Sequence, residues 1–189
     1  MTKIYFFDLD GTLADTDPDI RASWKAAMAD LGLVCPTFDR DFIAGPTLEE
    51  MAAKLFPDRY TPEYPGVLDA VRRLKAAGHR VFIATNKRYA GASAMAKHFG
   101  WDRVFEKIYT GDMHKDDPAI GKMRKPELLK FILAELGAKP EDCVMVGDTI
   151  NDFEAAQKNG IPSVAVTWGY GTDAERRQAG RIVSSPEEI

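Results

Sequence analysis

The chain has 189 residues, enough to bury one complete core without help from disulfides or a structural metal. Its apolar fraction of 45% and charged fraction of 29% are typical of a soluble globular domain. The net charge of −4 argues against a nucleic-acid partner, so a small molecule is the expected ligand.

Cys35 and Cys143 show neither CxxC spacing nor a neighbouring histidine pattern, so no disulfide framework or thiolate metal site is predicted. No apolar stretch approaches the roughly 20 residues that a membrane span needs. A strand pattern begins within three residues of the N-terminus, so no signal peptide is predicted and the cytoplasm is the expected location. Nothing in the sequence indicates an oligomeric state.

Short apolar runs alternate with helical patterns along most of the chain. Helical periodicity covers Gly66–Ala77 and Pro126–Leu136, and a glycine follows each pattern at Gly78 and Gly137. This alternation predicts an α/β fold with a doubly wound parallel sheet, helices on both faces and ligands bound beyond the carboxyl ends of the strands. The predicted strands are Ile4–Phe7, Val81–Ala84, Ile108–Tyr109 (the weakest), Cys143–Val146 and Ser163–Val166.

Residues 15–63 interrupt this alternation. They contain helical patterns around Ile20–Leu31 and Leu48–Leu55 but no strand pattern, and their edges are rich in proline. We therefore expect a small helical cap at 15–63, inserted into a core formed by residues 1–14 and 64–189.

Asp8 and Asp10 follow the first predicted strand and precede Gly11. Side chains two apart on a strand project to the same side, so these two carboxylates can converge at the strand's carboxyl end. Two anions held together need a cation or a shared proton. The pair is therefore a candidate catalytic or metal site.

Three further signals suit a site that handles phosphate. Thr85-Asn86-Lys87 follows the second predicted strand, Lys125 opens a helix, and Gly147–Asp152 follows the strand Cys143–Val146. Hydroxyl, amide and ammonium groups can position and neutralise a phosphoryl group, which is most of what catalysis of its transfer requires.

These motifs, DxDGT at Asp8–Thr12, Thr85, Lys125 and GDxxxD at Gly147–Asp152, occur in the order seen in the haloacid dehalogenase (HAD) superfamily, which the chain resembles. A narrower resemblance is to phosphoglycolate phosphatase-like members. It rests on four segments: Ile43–Glu50, Thr85–Lys87, Thr167–Gly171 and Ser185–Glu188.

The resemblance implies roles for individual residues. Asp8 would be the nucleophile that becomes an aspartyl phosphate, and Asp10 the acid that protonates the leaving oxygen and then activates water. Mg²⁺ would be held by Asp8, the backbone carbonyl of Asp10 and Asp148, with Asp152 ligating or orienting it. The expected phosphate-binding groups are Thr12, Thr85, the Asn86 amide and Lys125. The resemblance implies a structural or electrostatic role near the site for Lys87, but a lysine at the start of a surface helix needs no function, so its role stays open.

The expected function is a Mg²⁺-dependent phosphatase acting on a small phosphorylated metabolite such as phosphoglycolate. A phosphomutase of the same fold is an alternative, although no acid–base pair in the cap can be identified for it. A non-catalytic phosphate-sensing or interaction module is a second alternative. The short cap leaves the leaving group unassigned, because the core motifs process phosphate generically.

Overall fold

The computed structural model describes residues 2–30 and 63–189. Six strands form one sheet in the order β3-β2-β1-β4-β5-β6, and every neighbouring pair is parallel. The predicted α/β fold with a parallel sheet is confirmed. The strands are β1 Ile4–Phe7, β2 Arg80–Thr85, β3 Ile108–Thr110, β4 Cys143–Gly147, β5 Ser163–Val166 and β6 Arg181–Val183.

Both helices predicted within the core are found, with bounds that differ by one residue at most ends. The second of them begins at Lys125 and ends before Gly137, whose φ of +58° suits glycine at a helix C-terminus. The α-helices of the described residues are α1 Asp17–Asp30, α2 Val67–Ala76, α3 Tyr89–Phe99, α4 Lys125–Leu136, α5 Ile150–Lys158 and α6 Asp173–Arg176. Within these residues, no helix combines the length and the apolar character needed to cross a bilayer.

Helices cover both faces of the sheet. On β1, Phe7 packs on one face in a cluster with Val71 of α2, and Phe6 packs on the other in a cluster with Leu128 and Ile132 of α4. Both phenylalanines are fully buried. Successive side chains of a strand point to opposite faces, so the continuous apolar run of β1 supplies two cores at once.

The strand order places the start of the DxDGT motif at the centre of the sheet. β1 lies between β2 and β4, and the chain winds away from it in both directions. This reversal opens a crevice at the carboxyl ends of the central strands, where α/β proteins bind ligands. Asp8, Thr85 and Asp148 all stand at this edge.

β6 was not predicted from the sequence. It is three residues long and pairs only with β5, and both Arg181 and Ile182 are exposed. A short edge strand needs no continuous apolar run, so its pattern is too weak to recognise.

Helix α1 confirms the helical pattern predicted around Ile20–Leu31 as far as Asp30. The pattern at Leu48–Leu55 lies outside the described residues, so the boundaries of the cap stay a prediction. Ala14 and Glu63 form an antiparallel bridge, and the Tyr64 amide donates to the Leu13 carbonyl over 3.2 Å. The chain therefore leaves and re-enters the core at adjacent points.

Candidate active site

The turn after β1 is built around backbone hydrogen bonds. The Leu9 carbonyl accepts from the amides of Leu13 and Ala14 at 2.9 and 3.0 Å. Gly11 adopts a φ of +74°, and a Cβ there would lie 2.3 Å from Asp148 Oδ2. Only glycine permits both this backbone conformation and this approach. The turn thus places the loop carrying Asp8 and Asp10 directly against Asp148.

Lys125 is 2% exposed and connects three elements. Its ammonium group donates to Asp8 Oδ1 at 2.6 Å and to the Ala84 carbonyl at 2.8 Å, and lies 3.0 Å from Asp152 Oδ1. These contacts match the three N–H donors of an ammonium group. Burial alone would lower the pKa of Lys125, but the carboxylates of Asp152 and Asp8 raise it overall. Lys125 is therefore charged at neutral pH.

Asp8 is surrounded by like charges as well as by Lys125. Burial raises its pKa most, and Asp152 and Asp148 raise it further. The attraction of Lys125 opposes these effects but does not cancel them, so the pKa of Asp8 is well above its ordinary value. The site carries more negative charge than its one buried ammonium neutralises.

The described residues contain one cluster able to hold a metal ion, formed by Asp8, Asp148 and Asp152, with oxygen atoms within 4.8 Å of one another. Asp148 is fully buried and accepts hydrogen bonds from Thr12 Oγ1 at 3.3 Å and from the Tyr170 amide at 2.8 Å. Burial, followed by the charge of Asp152, raises the pKa of Asp148 to about 6. An oxygen-only donor set with excess negative charge fits a hard cation such as Mg²⁺.

Asp152 uses both of its carboxylate oxygens within the protein. One lies against Lys125, and the other accepts from the amide and the hydroxyl of Thr149, each at 3.2 Å. Asp152 thereby closes the capping box at the start of α5. These contacts suit a residue that orients Lys125 and the metal site.

The carboxylate of Asp10 lies outside this cluster and forms an ion pair with Lys87 Nζ at 2.8 Å. The Lys87 amide in turn donates to Thr85 Oγ1 at 3.1 Å, and Thr85 is 1% exposed. The residue whose role the sequence left open thus contacts the predicted acid. Asn86 lies between Thr85 and Lys87 at the same strand end.

The segment Trp168–Gly171 borders the site, as its position after β5 predicts. Trp168 Nε1 donates to the Thr12 carbonyl at 3.2 Å, and Tyr170 contacts Asp148 through its amide. The sequence placed Tyr170 in this segment but assigned it no role of its own. The signal that could have suggested one is the glycine on either side of it, since flanking glycines indicate close backbone approach.

The site residues predicted from the sequence therefore converge on one edge of the sheet. Asp8, Lys125, Asp148 and Asp152 form the buried centre, and Asp10 lies beside them with Lys87. The Thr12 hydroxyl is directed at Asp148. Phosphate binding by Thr12, Thr85 and Asn86 stays a prediction.

Comparisons with known proteins identify the family of this chain. The family model for haloacid dehalogenase-like hydrolases matches residues 48–160. A 5'-nucleotidase from Pseudomonas aeruginosa is 30% identical over 90% of this chain and 85% of its own length. A phosphoglycolate phosphatase from Colwellia psychrerythraea is 30% identical over 94% of this chain and 90% of its own length.

A solved structure, CbbY from Rhodobacter sphaeroides in complex with phosphate, superposes with a TM-score of 0.76. It is 25% identical and covers all of this chain, which spans 96% of that one. The fold and the family resemblance predicted from the sequence are both confirmed. The chain belongs to the haloacid dehalogenase-like hydrolases.

Proposed function

We propose that this protein is a Mg²⁺-dependent phosphatase that hydrolyses a small phosphorylated metabolite through an aspartyl phosphate on Asp8. The observation that carries the proposal is the placement of Asp8. One of its oxygens is fixed by the buried ammonium of Lys125, within a cluster of carboxylates at the carboxyl end of the central strand. This arrangement combines an oriented nucleophile with a cation-binding site, and a bound cation would lower the raised pKa of Asp8 and favour its ionised, nucleophilic form.

The reaction follows from the two carboxylates after β1. Asp8 attacks phosphorus, and the bond between phosphorus and the ester oxygen breaks. Its electron pair stays on the leaving oxygen, which takes a proton from Asp10. Water then attacks the phosphorus of the aspartyl phosphate and gives its proton to Asp10. The bond between the Asp8 oxygen and phosphorus breaks, its electron pair returns to the Asp8 carboxylate, and inorganic phosphate leaves with both residues restored.

Lys87 orients one of these two carboxylates. It pairs with Asp10 and not with Asp8, so the two carboxylates have separate cationic partners. Lys87 holds the Asp10 carboxylate in place, and Lys125 does the same for Asp8. The predicted acid and the predicted nucleophile are thereby oriented independently.

Asp8, Asp148 and the backbone carbonyl of Asp10 would hold Mg²⁺, and Asp152 would orient the site. When bound, the ion neutralises negative charge on the transferring phosphoryl group. Lys125 contributes a second positive charge from within the protein. Thr12, Thr85 and the Asn86 amide would donate hydrogen bonds to phosphoryl oxygens.

Similarity to a phosphoglycolate phosphatase over nearly the full chain supports a phosphoglycolate-like phosphomonoester as the substrate. The similarity to a 5'-nucleotidase is of equal extent, so nucleoside monophosphates belong among the compounds tested. The core residues process the phosphoryl group, and the leaving group is selected elsewhere.

Phosphate release from phosphoglycolate, hexose phosphates and nucleoside monophosphates tests the proposal in the presence of Mg²⁺. The wild type and an Asp69→Asn control, altered on the exposed face of α2, should hydrolyse at least one compound at equal rates. Asp8→Asn should be slower by a factor of about 10³ or more, because it loses the nucleophile. Conversion of a sugar phosphate to its isomer without phosphate release would indicate a mutase. Mg²⁺ binding without any turnover would indicate a non-catalytic module.

A further inference from the structure

Tyr170 lies between the candidate active site and the segment where the chain leaves the core. Its hydroxyl accepts hydrogen bonds from the amides of Thr16 and Asp17, the latter at 2.9 Å, and donates to Asp15 Oδ1 at 3.0 Å. Asp17 is the first residue of α1, and the first amides of a helix have no partner within it. A side chain more than 150 residues away in the sequence therefore caps the start of α1.

The main chain of Tyr170 packs against the candidate active site. Its amide donates to Asp148 Oδ2 at 2.8 Å. A Cβ at Gly169 would lie 2.1 Å from the Gly11 carbonyl oxygen, and one at Gly171 would lie 1.8 Å from the Asp148 carbonyl oxygen. Because only glycine fits at either position, the backbone on both sides of Tyr170 is pressed against the site. The Tyr170 amide thus has little freedom to move relative to Asp148.

The returning chain also approaches Tyr170. Burial, followed by the charge of Asp15, raises the pKa of Tyr64 to about 12, whereas the nearby Tyr170 hydroxyl offsets part of that rise. The Tyr64 amide is itself bonded to the Leu13 carbonyl. The Tyr170 hydroxyl therefore bonds to the connection that leaves the core and lies near the one that returns.

We propose that Tyr170 is a positioning residue for the phosphatase reaction. Its hydroxyl fixes Asp15–Asp17 and the start of α1 relative to Asp148, and thereby sets how this part of the chain meets the leaving group of the substrate. The inference rests on the proposed function and adds to it a residue that acts through the chain segment it holds.

Tyr170→Phe removes the hydroxyl and retains both the ring and the amide bonded to Asp148. The matched control is Tyr89→Phe, at a tyrosine that is 50% exposed at the start of α3. Two probes are compared: the phosphomonoester of the panel that the wild type hydrolyses fastest, and p-nitrophenyl phosphate, whose good leaving group needs little assistance. For Tyr170→Phe we expect KM for the first probe to rise about 5- to 10-fold, the loss expected for hydrogen bonds of this kind, with kcat for p-nitrophenyl phosphate within about twofold of wild type.

Hydrogen exchange supplies a readout that is independent of turnover. The amides of Thr16 and Asp17 should exchange faster in Tyr170→Phe, and the amides of β2 should not change. Unchanged exchange at Thr16 and Asp17, unchanged KM, or an equal fall in kcat for both probes would overturn the inference while leaving the phosphatase intact. A wild type that releases no phosphate from any probe would overturn the proposed function, and this inference with it.

Discussion

Lys125→Met removes the ammonium group at the centre of the site and keeps a side chain of similar length. Removal of one partner from a buried ion pair costs about 3–5 kcal/mol of unfolding free energy. Lys125 lies against two carboxylates, those of Asp8 and Asp152, so we expect the upper end, about 5 kcal/mol at pH 8. The rate of phosphate release should fall by a factor of about 10² to 10³, because the variant loses the positive charge that stabilises the negatively charged transition state.

The penalty should depend on pH in a definite direction. The folded-state pKa of Asp8 is already above its ordinary value, and loss of Lys125 raises it further. An acid with a raised folded-state pKa stabilises the folded state at low pH and loses that contribution as pH rises through the folded pKa. The loss of unfolding free energy caused by Lys125→Met should therefore become smaller as pH falls. The change should be up to about 1.4 kcal/mol per pH unit over the range in which the Asp8 carboxyl, now without its ammonium partner, binds a proton.

Urea unfolding in EDTA at pH 5 and pH 8 measures this effect for the wild type, Lys125→Met and a Lys130→Met control. Lys130 lies on the exposed face of the same helix, and methionine and lysine have similar helix propensities. The control should stay within about 0.5 kcal/mol of wild type at both pH values. A penalty for Lys125→Met below about 1 kcal/mol, or one equal at the two pH values, would refute the assignment of Lys125 as the buried counter-ion.

Three further outcomes are expected. Because the pKa of Asp148 is raised to about 6 in the metal-free protein, Mg²⁺ affinity measured by calorimetry should fall by up to about tenfold per pH unit below pH 6, and a flat profile would contradict this. Lys87→Met should lower kcat about 10-fold or more by releasing Asp10, whereas Lys97→Met on the exposed face of α3 should not; equal rates would remove Lys87 from the site. Gly171→Ala should cost about 1–3 kcal/mol in thermal unfolding and weaken Mg²⁺ binding, since its Cβ would overlap the Asp148 carbonyl; unchanged stability would mean that the backbone there can move.

The central strands could be predicted from the sequence because of where they lie. β1 and β4 are covered on both faces, so they carry unbroken apolar runs that stand out from the rest of the chain. β6 lies at the edge with two exposed residues and gives no such signal. Burial on both faces therefore decides which strands a sequence reveals.

The candidate site was predictable to the extent that it consists of strand-end residues. Parallel strands bring Asp8, Thr85 and Asp148 to the same edge of the sheet, independently of the conformation of the loops. The pairing of Lys87 with Asp10 depends on how the turn after β2 folds back, which residue spacing does not determine. The contacts of the Tyr170 hydroxyl reach backbone amides, and backbone amides carry no sequence signature.

The bridge between Ala14 and Glu63 joins the two points where the chain leaves and re-enters the core. Because the core already holds the two ends together, the closure cost of the chain between them grows slowly, by about 0.6 kcal/mol for each doubling of its length. Residues of this segment can be lost, gained or exchanged while the sheet and its carboxylates stay as they are. Under the proposed function, substitutions confined to this one segment would change which phosphorylated compound is hydrolysed and leave the carboxylates of the core unaltered.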